Sequence, residues 1–286
     1  MELIPLLQYS APVALAAMGE VVTQRGGIIN IGLEGSMLVA SFFAMLACYA
    51  THSPWLGLGA GITAALVITV VFGIFTINLS ADQVVVGTAI NLLALGVTGT
   101  LFRSKFGQSG QLLSVPRIGA WHGIDPLMLF MLLSVPLLWL LLRKTAWGLA
   151  VRACGEYPKA AEAAGLSVNR LRLQSLLVGG FYSGLAGAYL ALVITGSFAE
   201  NMTAGRGFVA IAMVTFGRWK PQFAFLAALL IGAAESLQYK FQTYGWKVPF
   251  QLMIALPYVV ALFVLVIVGR GAAAPGALGQ PYRKEK

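Results

Sequence analysis

The sequence has few charged residues. Only 10% of its 286 residues are Asp, Glu, Lys or Arg, whereas 58% are hydrophobic. Soluble domains carry about 25% charged residues, so this composition excludes an ordinary soluble protein. Single apolar stretches exceed the roughly 20 residues that cross a bilayer as a helix, and they lack the short alternating pattern of barrel strands. The sequence therefore predicts an all-α polytopic membrane protein.

Cysteines and enzymatic motifs are also scarce. The two cysteines, Cys48 and Cys154, offer no disulfide framework. The sequence contains no GxSxG, no CxxC and no GxxxxGK[ST] phosphate loop. Its two histidines, His52 and His122, have no metal-ligand spacing. We therefore expect a chain that is not an enzyme and that itself binds no metal or cofactor.

Hydrophobic residues are present in long runs. Nine apolar segments lie at about 3–22, 33–50, 55–77, 83–102, 126–143, 174–195, 206–217, 222–238 and 248–268. The seventh is too short to span a bilayer, which predicts a half-helix or re-entrant segment. The start, MELIPLLQYS, lacks the basic region of a cleavable signal peptide, so we expect the first helix to be retained.

The formal net charge is +9, but the basic residues lie mainly between the apolar segments and at the C-terminus. This distribution is typical of the positive-inside bias of membrane proteins rather than of a nucleic-acid surface. We therefore expect the basic loop 144–172 and the tail 270–286 to be cytoplasmic. Counting back through nine segments then puts the N-terminus outside.

The segments also suggest an internal symmetry. Segments one to four and six to nine form two sets joined by the fifth, so the second set would run opposite to the first. RGGIINIG at 25–32 and GRGFVAIA at 205–212 occupy similar places in the two sets. The arrangement predicts an inverted repeat, in which glycine-broken segments near the midplane form a central pathway.

A polar, alanine-rich stretch interrupts the chain at 152–172, RACGEYPKAAEAAGLSVNRLR. Pro158 suits the first turn of a helix, Glu156 favours a helix N-terminus, and Gly165 suits a C-terminal stop. The pattern predicts a helix of about seven residues within 156–165. Such a helix is either a peg that enters a partner protein or an ordinary interfacial helix.

The run GEYPKAAEAAGLSVNRLRL at 155–173 resembles the coupling-helix region of ABC-importer permeases for sugars, nucleosides and branched-chain amino acids. GIINIGLEGSML at 27–38, ADQVVVGTAINLLALG at 81–96 and ENMTAGRGFVAIAMVTFGRWKP at 200–221 resemble the simple-sugar and nucleoside branch of that family. The resemblance extends from about residue 20 to 268. It implies a single permease domain over 1–286, similar to the shorter permease of a pair, in a bacterial inner membrane.

The resemblance also implies partners. These are a second permease subunit, cytoplasmic ABC ATPases that hold ATP and Mg²⁺, and an external substrate-binding protein or lipoprotein; lipid surrounds the chain and nucleic acid is not a partner. The residues expected to couple to the ATPase are Gly155, Glu156, Pro158, Ala160, Ala161, Ala164 and Gly165.

Polar and aromatic residues near the broken segments are candidates for the substrate pathway: Asn30, Glu34, Asn91, Phe198, Asn201, Arg206 and Phe208. Intramembrane polar groups are costly and often functional. The two phenylalanines are suited to stacking on a base, and Asn201 and Arg206 to hydrogen-bonding a base or ribose. Structural alternatives are that Glu34 caps its helix or pairs with Arg25, that Asn91 joins two helices, and that loop 197–208 docks the binding protein.

These features together predict the permease subunit of an ATP-driven nucleoside importer, with alternating access driven by a partner ATPase. A permease for a simple sugar or another small polar solute is the alternative within the same family. An ion-coupled secondary transporter is a further alternative, and it predicts a buried carboxylate or histidine in the middle of a helix.

Overall fold

A computed structural model describes residues 3–107, 114–243 and 273–283, together with the isolated positions 255, 259 and 262. The helices are α1 Leu3–Arg25, α2 Leu33–Thr51, α3 Pro54–Gly73, α4 Gln83–Phe106, α5 Pro126–Lys144, α6 Ala146–Glu156, α7 Pro158–Ala163, α8 Val168–Tyr189, α9 Arg206–Phe216 and α10 Pro221–Thr243. Two π-helical segments, Ile74–Asn78 and Leu190–Thr195, continue α3 and α8. Within the described ranges no β-strand occurs, and the predicted all-α class is confirmed.

Among the described residues, five helical stretches are long and apolar enough to cross a membrane: Leu33–Thr51, Pro54–Asn78, Gln83–Phe106, Pro126–Lys144 and Val168–Thr195. Arg206–Phe216 is a shorter apolar helix of 11 residues, as expected of a half-helix. The predicted segment 248–268 lies outside the described residues except at three positions. The count of nine crossings therefore stays a prediction.

Helix α1 lies in the middle of the bundle, where it packs against α5, α8, α9 and α10. Small residues make this close packing possible. A Cβ on Gly19 would come within 2.5 Å of the Tyr182 Cβ on α8. Helices α4 and α5 lie at the periphery and expose large side chains such as Leu92 and Leu133. This is the distribution expected when small residues join helices and leucines face lipid.

The central polar stretch contains a helix that the sequence analysis did not predict. The Thr145 hydroxyl caps the start of α6 by accepting a hydrogen bond from the Gly148 N–H at 3.0 Å. Val151 and Cys154 are buried, so the apolar face of α6 packs against the rest of the protein. Glu156 is therefore the last residue of α6 rather than a residue ahead of α7. The predicted helix within 156–165 is present as α7, but it has six residues.

Candidate functional site

An open groove of about 430 Å³ lies between α2, α4 and the start of α9. Its volume is in the range of small-molecule sites. Four of the predicted pathway residues line it: Glu34, Asn91, Asn201 and Phe208. Leu38, Leu92 and Leu95 supply much of the remaining wall, so the groove combines an apolar surface with a few polar groups.

Glu34 joins two helices at the bottom of this groove. It lies in the first turn of α2 and is 8% exposed. Its Oε1 accepts a hydrogen bond from the Gly205 N–H at 2.8 Å, and its Oε2 accepts one from the Gly207 N–H at 2.6 Å. A carboxylate at a helix N-terminus satisfies free N–H groups and interacts favourably with the helix dipole. Glu34 therefore caps α9 rather than its own helix.

Glycine is required where α9 meets Glu34. Gly205 has a φ of 84°, in the left-handed region that side chains disfavour. A Cβ on Gly207 would lie 2.7 Å from the Glu34 Cα. The Arg-Gly passage at 205–212 thus begins in direct contact with α2, the helix that follows the corresponding passage at 25–32.

Asn91 plays a similar structural role from α4. Its side-chain Oδ1 accepts a hydrogen bond from the Gly35 N–H at 2.8 Å, and its Nδ2 donates to the Ile31 carbonyl at 2.9 Å. One amide thereby holds both sides of the turn that begins α2. Asn91 joins two helical regions, as its structural alternative predicted, and it also faces the groove.

Asn201 and Phe208 are the more accessible members of the set. Phe208 is 48% exposed, and Asn201 is exposed on a turn where its φ is 56°. Both belong to the segment that Glu34 fixes. They offer a solute an aromatic face and a side-chain amide, while the buried carboxylate and Asn91 maintain the backbone beneath them.

The other three pathway candidates do not line this groove. Phe198 is 4% exposed and packs its ring edge-on against Phe42, with centroids 5.2 Å apart. Arg206 forms an ion pair with Glu235 at 3.4 Å. Asn30 is buried, and no hydrogen-bond partner for its side-chain amide occurs in the described part of the chain.

A buried polar network that was not predicted from the sequence lies beside Asn30. The fully buried Glu20 of α1 accepts hydrogen bonds through Oε1 from the Asn30 N–H and from Gln24 Nε2, both at 3.0 Å. The Gln24 Oε1 in turn accepts a bond from Trp219 Nε1 at 2.7 Å. One signal was available, because Glu20 is the only charged residue in the apolar segment 3–22.

At the end of the bundle that carries α6 and α7, the predicted coupling residues from 160 onward differ in exposure. Ala160, Ala164 and Gly165 are exposed. Ala161 is 4% exposed and packs with Cys154, whose thiol pKa is raised by burial despite the neighbouring Arg172.

Three predicted coupling residues lie where α6 turns into α7. Pro158 begins α7 and is half-buried. Gly155 is buried, and a Cβ there would lie 2.1 Å from the Arg25 carbonyl oxygen. The neighbouring Glu156 lies 3.8 Å from the Arg25 guanidinium. Gly155 and Glu156 therefore bring the end of α6 against the end of α1.

The C-terminal residues 273–283, which we call the tail strap, lie across this same end. The Ala277 N–H donates to the Gly155 carbonyl at 2.9 Å, and the Gly279 N–H donates to the Gly27 carbonyl at 3.1 Å. The Gly276 N–H donates to Glu156 Oε2 at 3.0 Å. The strap thus ties the end of α6 to the turn after α1.

The strap also contacts α7 and α8. The Tyr282 hydroxyl donates to the Glu162 carboxylate of α7. Arg172 of α8 donates through Nη1 to the Gln280 carbonyl at 3.1 Å, and its guanidinium lies 5.8 Å from the Tyr282 ring centroid. A movement of α7 would therefore disturb the strap first, and the helices that line the groove only afterwards.

The sequence model of the family described as branched-chain amino acid transport system / permease component matches residues 3–269. The nucleoside ABC transporter permease protein NupC of Lactococcus lactis subsp. cremoris (strain MG1363) is 34% identical, over 98% of this chain and 96% of that protein. The guanosine ABC transporter permease protein NupQ of Bacillus subtilis (strain 168) is 33% identical, over 98% and 95%.

A solved chain of an inward-facing ABC transporter, described as metal-chelate type, superposes with a TM-score of 0.58. It is 15% identical, and the match covers 93% of this chain and 85% of that one. This likeness concerns the fold alone.

Proposed function

The chain belongs to the family of branched-chain amino acid transport system permease components, and from that premise we propose that it carries nucleosides across the membrane as one subunit of an ATP-driven importer. The observation that carries the proposal is the groove of about 430 Å³. In it, the exposed Phe208 ring and the exposed Asn201 amide lie above backbone that Glu34 and Asn91 hold in place. The nucleoside and guanosine permeases that match along nearly the whole chain support the same solute class.

A nucleoside combines a flat aromatic base with a polar ribose, and the groove offers matching groups. Phe208 is positioned to stack on the base, a contact worth about 1–3 kcal/mol in proteins that bind single-stranded nucleic acids. Asn201 and the exposed Thr88 are suited to hydrogen bonds with polar edges of the solute. Binding through so few contacts is weak, which suits a carrier that must release its solute.

ATP and Mg²⁺ would be held by partner ATPase subunits, because the sequence has no phosphate loop of its own. A second permease subunit and an external substrate-binding protein or lipoprotein would complete the importer. In the orientation that the basic residues favour, loop 144–172 and the tail strap are cytoplasmic and the N-terminus is outside. The exposed alanines of α7 then face the ATPase.

A route from α7 to the groove supports this coupling. Helix α6 ends next to Arg25, whose Nε donates to the Trp219 carbonyl at 2.9 Å just after α9. At the opposite end of α9, the N–H groups of Gly205 and Gly207 donate hydrogen bonds to the Glu34 carboxylate. A rigid movement of α6 and α7 would therefore be passed to α9, whose other end forms the groove.

Competition for uptake tests the solute class. The chain, reconstituted with its ATPase, second permease and binding protein, should take up labelled uridine in an ATP-dependent way. Unlabelled adenosine should compete better than ribose or leucine, because only a nucleoside provides a base to stack on Phe208. Stronger competition by ribose than by adenosine would instead identify a sugar permease and contradict the nucleoside assignment.

The coupling surface is tested on residues that are exposed. Ala160→Arg combined with Ala164→Arg should abolish uptake while the chain still folds, because both side chains point away from its core. Ala146→Arg, an exposed position on α6, is the matched control and should leave uptake intact. Normal uptake and normal ATPase association in the double variant would refute coupling through α7.

The fully buried Glu20, which lies five residues before the end of α1, partly matches an ion-coupled transporter, because that alternative predicts a buried carboxylate in the middle of a helix. The two candidates differ in a direct test. The purified chain alone in vesicles should not accumulate nucleoside when a proton or sodium gradient is imposed. Accumulation without ATP or partner subunits would support ion coupling and overturn the importer assignment.

A further inference from the structure

A second concave site lies away from the groove, at the end of the bundle that carries α6. We call it the basic pocket. It has a volume of about 60 Å³ and is lined in part by Arg25, Trp139, Arg143, Arg152, Trp219 and Lys220. It lies between the end of α5, the middle of α6 and the turn that joins α9 to α10. A single water needs about 10–15 Å³ on this measure, so the pocket has room for a phosphate group.

The pocket is strongly cationic. Among the lining residues that the structure describes, four are Arg or Lys and none is Asp or Glu. The nearest ion pair joins Arg25 to Glu156 at 3.8 Å, which leaves three positive charges without an acidic partner among the described residues. This concentration of charge is unfavourable unless an anion neutralises it.

The cations also differ in how far the protein already uses them. Arg25 donates to the Trp219 carbonyl, and Arg152 Nε donates to the Gly148 carbonyl at 3.4 Å. The Lys220 ammonium lies 5.4 Å from the Phe223 ring centroid, and neither the Lys220 side chain nor the Arg143 side chain has a hydrogen-bond acceptor in the part of the chain that the structure describes. Arg143 and Lys220 are therefore available to an anion.

The surroundings of the pocket indicate which anion. Helix α5 ends at the pocket and α10 begins there, and the two helices contact each other. Each exposes a stripe of large apolar side chains that leads away from the pocket: Leu133, Leu137 and Leu140 on α5, and Phe223, Leu226 and Leu230 on α10. The partly exposed Trp139 lies at the junction of the charged and apolar surfaces, the position that tryptophan favours at a membrane interface, whereas Trp219 is buried and forms the inner wall of the pocket.

We propose that the basic pocket binds the phosphate headgroup of an anionic phospholipid, such as phosphatidylglycerol, whose acyl chains lie along α5 and α10. The headgroup bridges Arg143 and Lys220 while Arg25 and Arg152 contribute longer-range attraction. Basic pockets between helices at a membrane surface bind anionic headgroups in this way. The bound lipid would fix the α9–α10 turn against the end of α5.

Native mass spectrometry of the full chain, purified with its partner subunits, tests the proposal. Added phosphatidylglycerol should be retained at collision energies that remove phosphatidylcholine of the same chain length. Arg143→Gln combined with Lys220→Gln should weaken phosphatidylglycerol binding about thirtyfold, since two cations are removed from the headgroup. Lys144→Gln combined with Arg170→Gln removes the same charge from exposed positions outside the pocket and should change retention less than threefold.

The remaining outcomes overturn the proposal. Equal retention of the two lipids would mean that the chain does not select an anionic headgroup. Equal loss in both double variants would mean that overall positive charge, rather than the pocket, attracts the lipid. A site for free phosphate would be revealed if millimolar inorganic phosphate displaced phosphatidylglycerol. Arg143→Lys, which keeps the charge, should preserve binding and shows that loss in the glutamine variant is not misfolding. None of these readouts depends on which solute is transported.

Discussion

The groove and the tail strap are stabilised by different kinds of hydrogen bond. At the groove, two side chains hold the backbone, because Glu34 caps α9 and Asn91 holds the turn before α2. At the strap, the backbone of the strap takes part in most of the bonds, as between Ala277 and Gly155 and between Gly279 and Gly27, and the side chains of Glu156 and Arg172 add two more. Single side-chain substitutions should therefore damage the groove, whereas the strap should be sensitive mainly to changes that move its backbone.

The largest effect is expected at Glu34. Glu34→Ala leaves two buried N–H groups at the start of α9 without acceptors, at a cost of about 1–3 kcal/mol each. We expect a large loss of thermal stability in the purified chain and no measurable uptake. Glu34→Gln, which keeps an acceptor, should lose less. A melting temperature unchanged in the alanine variant would show that α9 does not depend on this carboxylate.

Gly155→Ala should have the next largest effect, because it moves backbone at the strap. Its Cβ would lie 2.1 Å from the Arg25 carbonyl oxygen, and overpacking of this kind costs about 1–3 kcal/mol. Gly59→Ala is the control, since a Cβ there has no neighbour within 4 Å. Thermal unfolding followed by size-exclusion chromatography should separate the two variants. Equal melting temperatures would contradict the close contact between α6 and α1.

At the groove, an exposed residue should affect transport without affecting the fold. Phe208→Ala removes the ring proposed to stack on a base and should raise the KM for uridine uptake about tenfold. Its melting temperature should stay close to that of the unchanged chain. Phe75→Ala, at an exposed phenylalanine of the π-helical end of α3, serves as the control. An unaltered KM would exclude Phe208 from the solute site.

The smallest effect is expected from a side chain of the strap. Tyr282→Phe removes the hydroxyl that binds Glu162 but keeps the ring near Arg172, and the loss of one such bond costs about 1 kcal/mol. Arg283→Ala, at the exposed neighbouring position, should have no effect. Protease protection of the C-terminus measures both. A Tyr282→Phe chain as sensitive as one lacking residues 273–283 would mean that the hydroxyl, not the backbone, holds the strap.

Much of the fold could be predicted from the sequence because lipid imposes long apolar helices. The apolar segments at 33–50, 55–77 and 83–102 correspond to α2, α3 with its π-helical end, and α4. The short segment at 206–217 corresponds to α9, and its brevity alone indicated that it does not span. Helix α6 was missed because its 11 residues are too few to span a bilayer and two glycines, Gly148 and Gly155, belong to its buried face beside Val151 and Cys154.

The site was harder to predict, because its roles depend on contacts between distant parts of the chain. Glu34 and Asn91 were identified as unusual intramembrane polar residues, but nothing in the sequence indicates that Glu34 binds the backbone at 205–207. Phe198 looked suitable for stacking, yet it packs among other aromatic rings. The strap bonds mostly through its backbone, which no side-chain pattern can reveal.

The clasp that Glu34 forms with α9 has a mechanical consequence. Because one carboxylate joins the first turns of α2 and α9, these two walls of the groove cannot separate without leaving two amide groups and a charge unpaired at a mostly buried site. In the proposed importer, a gate over the solute would then have to open elsewhere, by movement of this subunit as one body against the second permease.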